Sequence, residues 1–301
     1  MCIRDRRIIV SLTIGVTTGF CCWYFLRHFQ QGAADFSWAI WGAQDLLAHH
    51  NPYDSTMQLY PLPAVFFGLP FVRLDPNLGA GTFFGISSAL LAFGLSREGY
   101  HRLLVFLAYP YWVALIWAQW APLIMAGAFF PLLLPATMAK PQLGLPVVLS
   151  YPSLRGYLTC AGVLALSLAI LPSWPWLWLS GLHNYVRFIP LLILPGPLLA
   201  LSLIRYHDRD ARFLFLMALT PQRWFYDALL LWLIPKSRRE ILGTVAFSWI
   251  LGIWRWYHYP LNHVQVGRWV VLLNYLPMLA VILARSRDPG TSERPPGHNV
   301  S

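Results

Sequence analysis

Charge is what this chain has least of. Only 11% of its 301 residues are Asp, Glu, Lys or Arg, against about 25% in soluble domains. Acid is scarcer still, at nine Asp and three Glu. With 57% hydrophobic residues and a mean hydropathy of +0.52, the chain cannot coat itself with solvated side chains. An ordinary soluble domain is therefore excluded. Cysteine is sparse too. Cys2, Cys21, Cys22 and Cys160 form no CxxC pair, so they offer neither a metal site nor a disulfide framework and read as small packing residues. There is no glycine-rich phosphate loop, no internal repeat and no segment with the composition of a separate soluble domain.

What is present is long apolar runs with basic residues between them. The net charge of +10 would suggest nucleic acid in a soluble protein. Here the basic residues form short clusters between the runs: Arg4/Arg6/Arg7, Arg205/Arg209/Arg212, Lys236/Arg238/Arg239 and Arg285/Arg287. That is the pattern of membrane loops, and no nucleic-acid partner is expected. The opening MCIRDR resembles a translated adapter remnant, so Arg4 and Arg6 carry little weight. Apolar runs lie at 8–26, 60–72, 78–95, 103–118, 121–136, 141–152, 157–171, 188–204, 213–234, 241–256 and 269–284. A crossing helix needs roughly 20 apolar residues, so 60–72 and 141–152 are short.

Lys and Arg mark the cytoplasmic side. The KSRRE loop (236–240), the Arg285/Arg287 end and the N-terminus are all expected inside, which requires an even number of crossings. Leaving out 141–152 gives ten and puts Lys140 outside, with the long loop. The expectation is an all-α, polytopic bundle of about ten transmembrane helices. It is a single membrane domain over 1–284, followed by a disordered polar tail over 285–301. The first outer loop, 27–59, is the one long interruption. Within it Trp38, Ile40, Trp41, Leu46 and Leu47 make an amphipathic helix on the membrane surface, ending at Asn51-Pro52.

The scarce acids narrow the chemistry. Asp208, Asp210 and Glu240 sit in arginine-rich turns and most simply pair there. Asp35 heads the amphipathic stretch, where Asp is a favoured helix N-cap. Held at a bilayer edge it can equally serve as a general base, and the two readings are compatible. Arg223, Trp224, Tyr226 and Asp227 form a second cluster. Aromatic belting at the membrane interface is its plainer account, and part of a donor or acceptor groove is the functional one. The same holds for His258 and His263 among Trp256, Tyr257 and Tyr259, while His49 and His50 face either a sugar or water.

In chain order come Asp35, then Asn51-Pro52-Tyr53-Asp54, then Tyr60-Pro61-Leu62-Pro63, then Ala118-Gln119-Trp120-Ala121, then Ala139-Lys140-Pro141-Gln142, then Thr220-Pro221-Gln222-Arg223 up to Asp227. This series resembles glycosyltransferase family 87, multi-pass enzymes of the GT-C fold that include polyprenyl-phosphate-dependent mannosyltransferases. The resemblance runs from about Asp35 to Asp227. Here the family's YPP is written Tyr60-Pro61-Leu62-Pro63, and its GQxN is written Ala118-Gln119-Trp120-Ala121. The resemblance implies a hexosyltransferase of the plasma (inner) membrane, active at its outer face. Its donor would be a polyprenyl-phosphate-linked sugar, mannose-like, and its acceptor a lipid or glycan. Asp35 would be catalytic, and Tyr53, Tyr60, Gln119, Lys140, Gln142, Arg223 and Tyr226 would bind substrate, with no metal and no cofactor. A lipid or solute transporter is the alternative. It would be expected to show repeats and ionisable groups at mid-membrane. An inactive scaffold of an envelope assembly is a third reading.

Overall fold

A computed structural model describes residues 3–54, 59–182, 187–258 and 262–285. Among them the fold is all-α, with one isolated antiparallel bridge between Phe188 and Gln222. In chain order the helices are α1 (Ile3–His28), α2 (Ser37–Leu47), α3 (Leu62–Phe66), α4 (Pro76–Leu95), α5 (Tyr109–Ile116), α6 (Ala121–Ala126), α7 (Pro141–Ser150), α8 (Leu154–Ile170), α9 (Trp174–Gly181), α10 (Arg209–Leu219), α11 (Arg238–Tyr257), α12 (His263–Val270) and α13 (Leu276–Ala284). Between them run tighter 3-10 turns, among them Ala34–Phe36 and Phe225–Leu233.

Among the described residues three helical units are long and apolar enough to cross a membrane: α1, α4, and α12 with α13 as one unit. A fourth is α8 with α9, if that pair, bent by 94°, is one span. The bend falls at Leu171-Pro172-Ser173, where proline removes a backbone donor and clashes with the preceding turn. α1, at 26 residues, is about 39 Å long, more than the roughly 30 Å of a hydrocarbon core. Its outer face, with Val16 and Phe20, is exposed and apolar, as are Leu154 and Leu158 on α8. Bare apolar faces of that extent suit lipid rather than water. Proline interrupts most of the remaining apolar runs into shorter pieces, whereas 241–256 lies within one unbroken helix, α11, of 20 residues. The 60–72 run becomes α3 and a 3-10 turn, and the 141–152 run becomes α7, ten residues long.

α1 and α4 approach closely through glycines. A Cβ on Gly85 would come 2.7 Å from the Gly15 carbonyl, and one on Gly81 would come 2.9 Å from that of Gly19. Small residues four apart on both helices let the backbones meet. The amphipathic stretch is α2. It buries Ala39, Ile40, Gly42 and Ala43 and leaves Trp41 and Leu47 exposed. Asp35 is not its cap. The N-cap position falls at Phe36, without a side-chain cap, because the Asp35 carboxylate is engaged elsewhere.

At the opposite end of α7 and α10 from Asp35, the acids of the arginine-rich turns are held. Asp210 lies 2.8 Å from Arg285 and 3.8 Å from both Arg209 and Lys236. Asp208 instead caps α10 through the Asp210 amide. Glu240 completes a capping box with Ser237 and lies 3.1 Å from Arg285. Arg285, assigned to the tail from sequence, is thus anchored. The rest of the tail, 286–301, lies outside the described residues.

Candidate active site

The turn bearing Asp35 is forced into shape. Gly32, Ala33 and Ala34 all take positive φ, at 50°, 63° and 45°. That conformation is unfavourable for alanine, so neighbours must impose it. Asn77 accepts the Ala33 amide at 2.9 Å, and the Trp117 carbonyl accepts the Asp35 amide at 3.2 Å. Phe36 enters an aromatic core, stacking on Phe83 at 3.8 Å between centroids and lying 5.5 Å from Trp120. Strain of this kind persists where the surroundings over-determine it, and it clusters at functional sites.

Lys140 arrives from the other side. Pro141 opens α7 at its first position, where its fixed φ suits the helix, and it keeps Lys140 out of the helical region just before it, at φ −132° and ψ 81°. The lysine backbone carbonyl accepts from Leu143 and Gly144. Its side chain runs inward. Nζ lies 2.9 Å from Asp35 Oδ2 and donates to Gln119 Oε1 at 2.5 Å. It also sits 5.0 Å from the centre of the Tyr226 ring and 5.7 Å from that of Tyr60. Lys140 is only 5% exposed. A buried ammonium needs such compensation. Gln119 reaches it from the α5–α6 turn, where Ala118 is again left-handed, with φ 46°.

Tyr60 donates its phenol hydrogen to the same Asp35 Oδ2. Its loop is pinned by the Tyr53 hydroxyl, which donates to the Tyr60 carbonyl at 2.9 Å, and by Trp178 of α9, which donates to the Leu59 carbonyl at 3.1 Å. Burial pushes the Tyr53 phenol above its ordinary pKa, so it stays a donor. Tyr60 and Lys140 thus meet on the same oxygen, Oδ2 of Asp35.

These groups open on one cavity of about 220 Å³, lined among others by Asp35, Tyr60, Lys140, Gln142, Arg187 and Arg223. Of the residues singled out from sequence, those five other than Arg187 face it. Gln119 and Tyr226 form the buried wall around the lysine head, and Tyr53 stands behind, acting through the Tyr60 backbone. His49 and His50 are exposed and do not line it, and His263 packs on Trp224.

Arg187 was missed. The isolated bridge explains its place: Phe188 and Gln222 exchange amide–carbonyl bonds at 2.8 Å in both directions. The bridge therefore sets Arg187 opposite Arg223, and both arginines line the cavity. Three cations and one carboxylate converge there, an arrangement that favours an anionic ligand. A neighbouring cavity of about 300 Å³ is almost wholly apolar and shares Pro61, Pro141 and Trp178 with the first. Among the described residues no three His, Cys, Asp or Glu side chains gather as metal ligands would. Compared with protein-family models, curated proteins and solved structures, the chain matches none.

Proposed function

We propose that this chain is a membrane glycosyltransferase of the GT-C type, with about ten crossings and its site at the outer face of the plasma (inner) membrane. It transfers a mannose-like hexose from a polyprenyl phosphate to a lipid or glycan acceptor. The observation that carries this is the buried Asp35–Lys140 pair, flanked by Arg187 and Arg223 in one cavity. A polyprenyl-phosphate sugar brings its own leaving group. The enzyme must supply a base for the acceptor hydroxyl and cations for the departing phosphate, and this cavity offers both. The adjoining apolar cavity suits the first units of the lipid chain. A ligand with an anionic head and an apolar tail fits the pair of cavities better than a free sugar nucleotide does.

In the reaction, the Asp35 carboxylate takes the acceptor proton as the acceptor oxygen bonds to the anomeric carbon. The bond from that carbon to the phosphate oxygen breaks, and its electron pair leaves with the phosphate. Arg187 and Arg223 hold the phosphate's growing charge, while Tyr60 and Lys140 fix the carboxylate. The test is transfer of labelled mannose from polyprenyl-phosphate mannose by purified protein in sealed proteoliposomes, offered a mixed lipid and glycan acceptor pool. Net movement of label without a new glycosidic bond would favour the transporter reading. Neither transfer nor movement would leave the scaffold.

A further inference from the structure

At the end of the bundle that holds Glu240 and Arg285, away from Asp35, a second groove begins. It runs between α11 and α13 and has a volume of about 620 Å³. Its mouth is charged, with Arg239, Glu240 and Arg285. Below the mouth its walls are apolar, save for Thr244, whose hydroxyl donates back to the Glu240 carbonyl at 2.9 Å. From Arg239 to Phe247 the α11 wall runs about 12 Å, and from Ala284 back to Leu272 the facing wall runs about 18 Å. Half of a hydrocarbon core roughly 30 Å thick is about 15 Å, so the groove is about one leaflet deep. Gly243, Phe247, Leu272 and Ala280 are exposed along it. It therefore opens sideways, toward lipid, along a unit long and apolar enough to cross a membrane.

Two features of the groove serve nothing inside the described protein. Gly243 stands within α11, where glycine is less favourable than alanine, yet a Cβ there would meet no atom within 4 Å. No protein neighbour requires that glycine, and its effect is to leave the groove floor open. At the mouth, Arg285 lies 3.1 Å from Glu240 and 2.8 Å from Asp210, which leaves Arg239 as the surplus cation. Its side chain is exposed and makes no ion pair or hydrogen bond among the described residues. A guanidinium above an apolar trough of leaflet depth is complementary to a phosphate above an acyl chain. We propose that the α11–α13 groove binds an anionic diacyl phospholipid of the leaflet that holds Arg239. One acyl chain lies over Gly243 and the phosphate sits on Arg239. The chain's own residues 286–301 contain no leucine, isoleucine or aromatic residue with which to fill the groove. The lipid site needs a membrane around α13 but no transferase activity.

The full-length protein, delipidated in a non-ionic detergent, is the material for the test. Native mass spectrometry and the melting temperature are the readouts. The probes are dioleoyl phosphatidylglycerol, phosphatidylcholine with the same chains, and soluble glycerol phosphate. Phosphatidylglycerol should bind saturably and raise the melting temperature. Phosphatidylcholine should bind about fivefold or more weakly, the factor that one basic residue at an anionic membrane surface supplies, and glycerol phosphate should do neither. Arg239→Gln should bring the two phospholipids within about twofold of each other, by the same factor. Gly243→Phe grows a ring into the groove from a position with open space above it. It should leave the lipid-free melting temperature near wild type and abolish the shift with phosphatidylglycerol. If that variant does not fold, Ala280→Phe fills the groove from the facing wall. Equal binding of the two phospholipids by the wild type, or a shift that survives groove filling, would overturn the proposal. So would an undiminished preference for phosphatidylglycerol in Arg239→Gln, a variant at an exposed, unpaired side chain that folds whatever fills the groove. A shift with glycerol phosphate alone would reassign the mouth to free phosphate. A lipid-free dimer that Gly243→Phe turns into a monomer would assign the groove to a second copy, and either result overturns the lipid site.

Discussion

Asp35→Asn isolates proton acceptance from everything else Asp35 does. The amide keeps the size of the carboxylate and an oxygen for Tyr60 and Lys140, which hold Oδ2 in the wild type. What disappears is the charge and the ability to take a proton. General-base catalysis contributes about 10²–10⁴-fold, or roughly 3–5 kcal/mol of barrier at 1.36 kcal/mol per tenfold. Transfer should fall by that factor. Removing one partner of a buried pair costs about 3–5 kcal/mol when the other is stranded. The Asp35 side chain is 12% exposed and that of Lys140 is 6% exposed, so the pair belongs near that regime. In the Asn variant, however, Lys140 keeps Gln119 at 2.5 Å and the Tyr226 and Tyr60 rings. The stability loss should therefore be well under that figure, and the variant should insert and purify normally. Single-turnover transfer from labelled polyprenyl-phosphate mannose, with the melting temperature measured on the same preparation, is the assay. Turnover within about tenfold of wild type, below the usual range for a lost base, would refute the assignment. Asp35→Ala is a poorer probe, because it also deprives Tyr60 and Lys140 of their acceptor.

Four further outcomes follow. Arg187→Ala and Arg223→Ala should each raise KM for the donor by roughly 10- to 150-fold, corresponding to about 1.5–3 kcal/mol for a lost charge-assisted bond; donor saturation curves check this, and an unchanged KM in both excludes a phosphate at this bridge. With native cysteines replaced, His49→Cys and Gln142→Cys should react with an impermeant thiol reagent from outside intact cells and Arg239→Cys should not; labelling at position 239 alone would invert the topology. Transfer should persist in excess chelator and should not occur from GDP-mannose, since Lys and Arg can hold a monophosphate; activity restored by magnesium after chelation would overturn the metal claim, and use of GDP-mannose the donor claim. Burial works against ionised Glu240, yet Arg285 and the amides of Lys236 and Ser237 hold its carboxyl below the ordinary range. A depressed value means its stabilisation is fully present above the ordinary glutamate value of about 4.3 and lost as pH falls through the folded value. The melting-temperature gap between wild type and Glu240→Gln should accordingly close below that pH, and a gap that stays constant to pH 3 would contradict it.

How much of this was legible in the chain can be argued residue by residue. The all-helical character was readable, because apolar runs act locally, whereas the breaking of runs such as 121–136 into shorter pieces at proline was not part of the expectation of about ten crossings. The pairing of acids within the arginine-rich turns was readable only for Asp210 with Arg209 and Lys236, at 3.8 Å, whereas Asp208 caps α10 and the close partner of Asp210 and Glu240 is Arg285, far along the chain. The N-cap reading of Asp35 was wrong for a non-local reason. A cap is the default use of Asp before a helix, but Lys140 and Tyr60 compete for the carboxylate, and neither is near it in the chain. Arg187 was invisible as a site residue. It stands alone before an apolar run, and only its place beside the Phe188–Gln222 bridge brings it opposite Arg223.

The candidate site is assembled from single residues on separate segments, and each is aimed by its own backbone device. Asp35 stands on a left-handed run, Lys140 before a helix-opening proline, Gln119 after a left-handed alanine, and Arg223 beside a lone bridge and an Asp227 tether. None of these devices has a periodicity, so none produces a pattern along the sequence. What they leave instead is a polar residue beside a proline or an aromatic at the end of an apolar run, the same trace an interface belt leaves. The two can be told apart by burial. A belt residue keeps its polar end in water, whereas Lys140, Gln119 and Asp227 are enclosed. A chain this poor in charge that nevertheless buries a lysine and an aspartate beside its cavity is meeting an electrostatic requirement rather than a packing one, because a hydrophobic residue of similar volume would serve packing at least as well.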